Sequence, residues 1–124
     1  MYEVRIDQQK NRLYFTLKGF LKAEEIKRAT AETIAQMRQL PPGFCVITNI
    51  SEFAPATPEA AEHIKQMQAV SSQLGVKKVV RVVKSAVSSL QFKRTQREAG
   101  AKYETCDVHS VAEAEQLLDA EVQS

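Results

Sequence analysis

The chain has 124 residues, 44% of them hydrophobic and 26% charged, and carries a net charge of +2. That is the length of one domain with apolar residues enough for a core, and it excludes a disordered polymer or a strongly basic nucleic-acid binder. The apolar runs are only a few residues long, against the ~20 that span a bilayer, so no membrane span is expected.

"MYEVRID" goes straight into an alternating pattern, without the basic flank and apolar run of a signal peptide. Tyr2, Val4 and Ile6 alternate with Glu3, Arg5 and Asp7, and Leu13, Phe15 and Leu17 alternate with Arg12, Tyr14, Thr16 and Lys18. This period predicts two half-buried strands, and the short link "QQKN" makes them an antiparallel hairpin. Over 22–40, Ile26, Thr30, Thr33, Ile34, Met37 and Leu40 recur at helical spacing until Pro41-Pro42-Gly43 stops them. "FCVITNI" is a continuous apolar run and predicts a central strand over 44–50.

After a break, Thr57 caps the next helix, Pro58 fits its first position and Glu59 suits its positive end. Ala60, Ile64, Met67, Ser71 and Leu74 mark its inner face, and Gly75 ends it. "KVVRVV" is the fourth strand, and Ser85 opens a weaker helix over 86–99 that closes at Gly100. Residues 103–108 form the last strand, and Ser110 with Glu113 makes a capping box for a final helix. The expected fold is α/β: residues 1–124 as one domain around a five-stranded mixed sheet, an N-terminal antiparallel hairpin followed by βα units (β-β-α-β-α-β-α-β-α).

One sheet face reads as half-polar. It collects the hairpin's polar residues and, on later strands, Thr48, Arg81, Tyr103 and Thr105. A doubly wound sheet is apolar on both faces, so the pattern favours a sheet wound mostly on one side. Tyr14, Arg81 and Tyr103 are then candidate anchors for an interface, with a second copy or another protein covering them.

Charge is also segregated. No acid lies between Glu62 and Glu98, where Lys65, Lys77, Lys78, Arg81, Lys84, Lys93, Arg94 and Arg97 are found, and the tail after Arg97 is acidic. The two stretches complement each other within the chain, or the basic one faces a partner; the first is preferred.

No catalytic or metal constellation stands out. The chain lacks GxSxG, a Walker loop, GxGxxG, HExxH and CxxC. Cys45 and Cys106 read as buried free thiols of a reducing cytoplasm, His63 as a surface residue and His109 as a loop residue. Lys84 and Ser85 are a candidate anion site at a helix start, with a plain cap as the preferred reading of Ser85. Phe92 amid Lys93, Arg94 and Arg97 is read as core rather than as a base-stacking residue.

Three stretches carry a family resemblance: "LKGFLKAEEIKRA" after the hairpin, "FCVITNISEF" as the central strand, and "CDVHSVAEAEQLL" at the end. With the leading hairpin and βα units, they make the chain resemble the SpoIIAA-like fold of STAS domains, and most closely the small bacterial STAS/SEC14-like proteins. In partner-switching members of that family a serine at the start of the helix after the central strand is phosphorylated. The resemblance lays that position on Pro58, followed by Glu59, so the phosphoacceptor is missing here. Asn49, Ser51, Thr57 and Glu59 are the partner- or ligand-binding loop it implies.

The expectation is a cytoplasmic, non-enzymatic regulatory or protein-interaction module that needs no cofactor. It binds a protein partner or a second copy and no nucleic acid. The alternative is a carrier of a small hydrophobic ligand or lipid, of SEC14-like type, which requires a cavity between sheet and helices.

Overall fold

The computed structural model describes residues 1–123. In chain order it contains β1 (Tyr2–Asp7), β2 (Arg12–Gly19), α1 (Ala23–Met37), β3 (Cys45–Phe53), α2 (Pro58–Gln73), β4 (Lys78–Val82), α3 (Ala86–Glu98), β5 (Glu104–Val108) and α4 (Val111–Gln123). The strands lie side by side in chain order, with β1 antiparallel to β2 and every later pair parallel. The predicted element order and mixed sheet are those observed.

Each parallel connection steps to the next strand, and a right-handed crossover then puts its helix on the same face every time. Helices α1, α2 and α3 accordingly share one face and enclose the larger core, including Phe15, Leu17, Ile26, Phe44, Ile50, Ile64 and Phe92. After β5 the chain turns back, and α4 lies on the other face over a smaller cluster of Tyr14, Ile47, Val80, Val82, Val108, Ala114 and Leu118. The sheet is thus wound mostly on one side, and one helix of the same chain covers part of the second face.

Two boundaries differ from the sequence expectation by more than one residue. Strand β3 runs to Phe53 rather than Ile50, because Glu52 and Phe53 pair with Lys18 and Gly19 past a bulge. That leaves only residues 54–57 as the break before α2. Helix α1 ends at Met37, and Gln39 and Leu40 donate to the carbonyls of Gln36 and Met37 in tight turns. Gly75 is required where it stands. Its φ is +89°, its carbonyl accepts from Gly43 N at 2.8 Å, and a Cβ would meet Pro42 Cβ at 2.9 Å.

The half-polar face is assigned wrongly by the sequence for β3, β4 and β5. Thr48 alternates with Ile47 and shares the side of Val46 and Ile50, and Arg81 shares the side of Val79 and Val83. Thr48, Arg81 and Tyr103 therefore lie beneath α1–α3. Polar residues in an apolar run carry no label for side, and burial with a partner outweighed the default that polar means exposed.

Candidate functional site

The carboxyl ends of β3 and β4 meet the amino ends of α2 and α3, the edge where parallel sheets present their helix N–H groups. Thr57 caps α2, its Oγ1 accepting from Ala60 N at 3.2 Å, with Pro58 in the first turn. Glu59 is exposed in that turn.

The break itself is held from α3. Gln91 accepts from Ala56 N at 2.9 Å and donates to Ala56 O at 2.8 Å, a two-point clamp that imitates a strand partner. Ser88 Oγ donates to Phe53 O at 3.2 Å. The loop and α3 are one surface.

Asn49 and Ser51 do not join it. Asn49 Oδ1 accepts from Ser51 N at 3.2 Å and from Ser51 Oγ at 2.7 Å. Asn49 lines a shallow groove with Glu3, Arg5 and Thr16 on the face that carries α4. The four loop residues from the sequence are therefore divided between the two faces. Lys84 and Ser85 are both exposed beside α3, where Ser85 takes the extended cap backbone (φ −126°, ψ 150°) but makes no side-chain cap bond.

The candidate interface anchors are not on an open surface. Tyr14 is 8% exposed: its hydroxyl donates to Glu115 of α4 at 2.5 Å, and the Arg5 guanidinium lies 3.7 Å from its ring centre. Arg81 is 1% exposed, and its Nε donates to Asp107 Oδ1 at 3.2 Å. Tyr103 is half-buried; burial pushes its phenol up to about 12, against the Arg81 charge and a hydrogen bond from Ser71.

Asp107 is the hub of a buried polar cluster. A buried Arg81 needs an acidic partner, which the sequence leaves between Glu104 and Asp107, whereas Ser89 and Lys93 are members the sequence reading missed. Its second oxygen accepts from Ser89 Oγ and pairs with Lys93 Nζ at 3.5 Å. Burial pushes the Asp107 carboxyl up, but the hydrogen bonds from Ser89 and Arg81 and the Arg81 charge outweigh it and hold the group below its ordinary value. The available signal was a set of small polar residues, Ser88, Ser89 and Thr95, around Phe92 on the inner side of a helix.

What α3 turns outward is different. Val87 and Leu90 are 60% and 63% exposed, and with Pro55 and the clamp residue Gln91 they line a groove edged by Lys93, Arg94 and Arg97. The acidic tail neutralises the basic middle only in part. Glu104 and Glu121 reach Lys78, and Asp107 reaches Arg81 and Lys93, while Glu115 and Asp119 go to Arg12 and Lys10 of the hairpin. Arg94 has only Glu98 at 4.0 Å, and Arg97 has no ion pair among the described residues.

No helix among the described residues is long and apolar enough to cross a membrane, and no group of His, Cys, Asp and Glu among them is arranged to hold a metal ion. Cys45 and Cys106 are free thiols, both half-buried.

A solved protein from Shewanella loihica superposes on this chain with a TM-score of 0.71, covering 95% of this chain and 92% of its own at 14% identity. It is described as an uncharacterized protein of the DUF3478 family with a SpoIIAA-like fold. The fold is SpoIIAA-like. No family model and no curated protein matches the chain. Pro58, on which the sequence resemblance lays the phosphoacceptor position, is the first residue of α2.

Proposed function

We propose that the protein is a non-enzymatic interaction module whose docking surface is the outer side of α3 together with the β3–α2 loop. Its partner is a protein that presents an acidic, amphipathic segment. The observation that carries this reading is the pairing of exposed Val87 and Leu90 with Pro55 inside a basic rim of Lys93, Arg94 and Arg97. Large apolar side chains clustered in the open mark an interaction site, and the cations fix the sign of the partner. The Gln91 clamp preorganises loop and helix together, which lowers the ordering cost of binding.

Two further observations favour this reading over its competitors. Ser89 is the one hydroxyl paired with a carboxylate under α3, but it is 5% exposed and its partner Asp107 is held below the ordinary carboxyl value, which makes Asp107 a weak base. The space between the sheet and α1–α3 is about 20 Å³, against the roughly 300 Å³ or more of a drug-sized ligand pocket. A lipid carrier needs a far larger cavity.

The test is site-specific photocrosslinking in the cells that make the protein. A photoreactive residue at Leu90 should yield a discrete adduct that one at the exposed Glu24 of α1 does not. Arg94→Glu with Arg97→Glu should reduce that adduct about tenfold while the circular dichroism spectrum stays unchanged. Equal labelling from both positions, or an adduct indifferent to charge reversal, would refute the surface.

A further inference from the structure

The small cavity between the sheet and helices α1, α2 and α3 has an unusual lining. Most of it is apolar, with Phe15, Met37 and Met67 among the walls, but Gln68, Arg81 and Tyr103 also face it. Two of its polar atoms have no hydrogen-bond partner: Arg81 Nη2 and Gln68 Oε1. Both residues are almost wholly buried, at 1% and 4% exposure. An unpaired buried donor or acceptor costs about 1–3 kcal/mol, more when charged, and native proteins seldom leave one so.

Neither atom can be satisfied by turning its side chain over. Gln68 Nε2 donates to the carbonyl of Phe92 at 3.1 Å, so the amide cannot flip without losing that bond, and Oε1 is left over. The Nε of Arg81 is engaged by Asp107, whose other oxygen is held by Ser89 and Lys93. One orphan is a donor and the other an acceptor, and the residues that carry them line the same cavity.

We propose that this cavity is a binding site for one neutral hydroxyl group, whose oxygen accepts from Arg81 Nη2 and whose proton goes to Gln68 Oε1. Charge and size both select it. Asp107 already neutralises Arg81, and a second anion would face the lone pairs of Gln68 Oε1 as well as the Asp107 carboxylate. A cation is excluded by Arg81. The free space of about 20 Å³ admits a single water-sized group, since one water needs on the order of 10–15 Å³ by the same measure. The hydroxyl is that of a water molecule or of a small alcohol. Its bonds reach β4 through Arg81 and α2 through Gln68, whose amide in turn holds the Phe92 carbonyl of α3.

The test uses the full chain in solution. Water-to-protein cross-relaxation should show a long-lived hydroxyl next to the Gln68 side-chain amide protons. Oxygen-17 relaxation dispersion should count one such water fewer in Gln68→Met than in the exposed control Gln66→Met. If the occupant is an alcohol, native mass spectrometry should instead show a small added mass that Gln68→Met loses. A wild-type protein with neither a long-lived water at Gln68 nor an added mass would overturn the proposal, as would a signal unchanged in Gln68→Met. Should that variant fail to fold, a high-resolution crystal structure of the wild type decides. An oxygen about 3 Å from both atoms is expected, and a direct protein partner for Arg81 Nη2 would overturn it.

Discussion

On the α1–α3 face, side chains from three helices and four of the five strands interlock, and the charged residues buried there are gathered in a cluster around Arg81 and Asp107. On the α4 face, a smaller apolar cluster is ringed by ion pairs: Arg12 with Glu115 at 2.8 Å and Asp119 at 3.0 Å, and Lys78 with Glu121 at 2.6 Å. The first face is closed by packing that depends on the whole fold. The second depends on one terminal helix and on charges at its rim, so it should be the part that opens first. The same split separates structure from function in this chain, because the proposed docking helix α3 belongs to the first face while presenting Val87 and Leu90 to solvent.

The comparison is tested most directly by equal insults on the two sides. Ile64 and Leu118 are both essentially fully buried, one on the inner face of α2 and one on that of α4. Ile64→Ala should cost about 4 kcal/mol, in the upper part of the range for such truncations, because its surroundings are fixed by three helices and cannot collapse. Leu118→Ala should cost about 2 kcal/mol, since one helix can settle onto the sheet. Urea unfolding gives both values, and equal losses would remove the distinction between the faces.

A second test uses the charge buried on the better-packed side. Asp107→Ala leaves Arg81 buried without its carboxylate and should destabilise by about 3 kcal/mol. Adding Arg81→Met should recover most of that loss, because an apolar pair of similar volume is often as stable as the ion pair it replaces. If the double variant is no better than Asp107→Ala alone, Asp107 stabilises chiefly through Ser89 rather than through Arg81.

These same residues show what the sequence could and could not reveal. Periodicity and caps were enough for every element and for the mixed sheet, since hairpin alternation, the Thr57 cap and the Ser110–Glu113 box are local signals. The side of the sheet on which Arg81 lies is not local. In "KVVRVV" both alternating sets are apolar, and only the pairing of Arg81 with Asp107 across β4 and β5 makes its burial tolerable. The candidate site suffered for a related reason. Asn49 and Thr57 are close in the chain, yet the strand runs on to Phe53, so Asn49 stays on the α4 face while Thr57 caps α2. The Gln91 clamp joins residues 35 apart in sequence, and no spacing rule announces such a contact.

The smallest effect concerns the ionic rim of α4, and its sign follows from the carboxyls. Burial pushes Glu115 up, but the hydrogen bonds from Tyr14 and Arg12 outweigh it; for Asp119 the hydrogen bond from Arg12 leads. Both groups are therefore held below their ordinary values in the folded state. A carboxyl depressed on folding adds stability that is complete above its unfolded value, near ~4, and is lost as pH falls through the lower folded value. The rim should accordingly leave α4 unaffected from neutral pH to about 5 and release it progressively below about 4. Helix α1 is the right reference, because it makes no ion pair to the sheet among the described residues; α3 is not, because the depressed Asp107 lies beneath it. Amide exchange followed from pH 6 downward should show α4 losing protection before α1, and Arg12→Met should narrow the gap by making α4 labile at every pH. Simultaneous loss in α1 and α4 would mean that the thin apolar cluster of Ala114 and Leu118, rather than the rim, holds the helix.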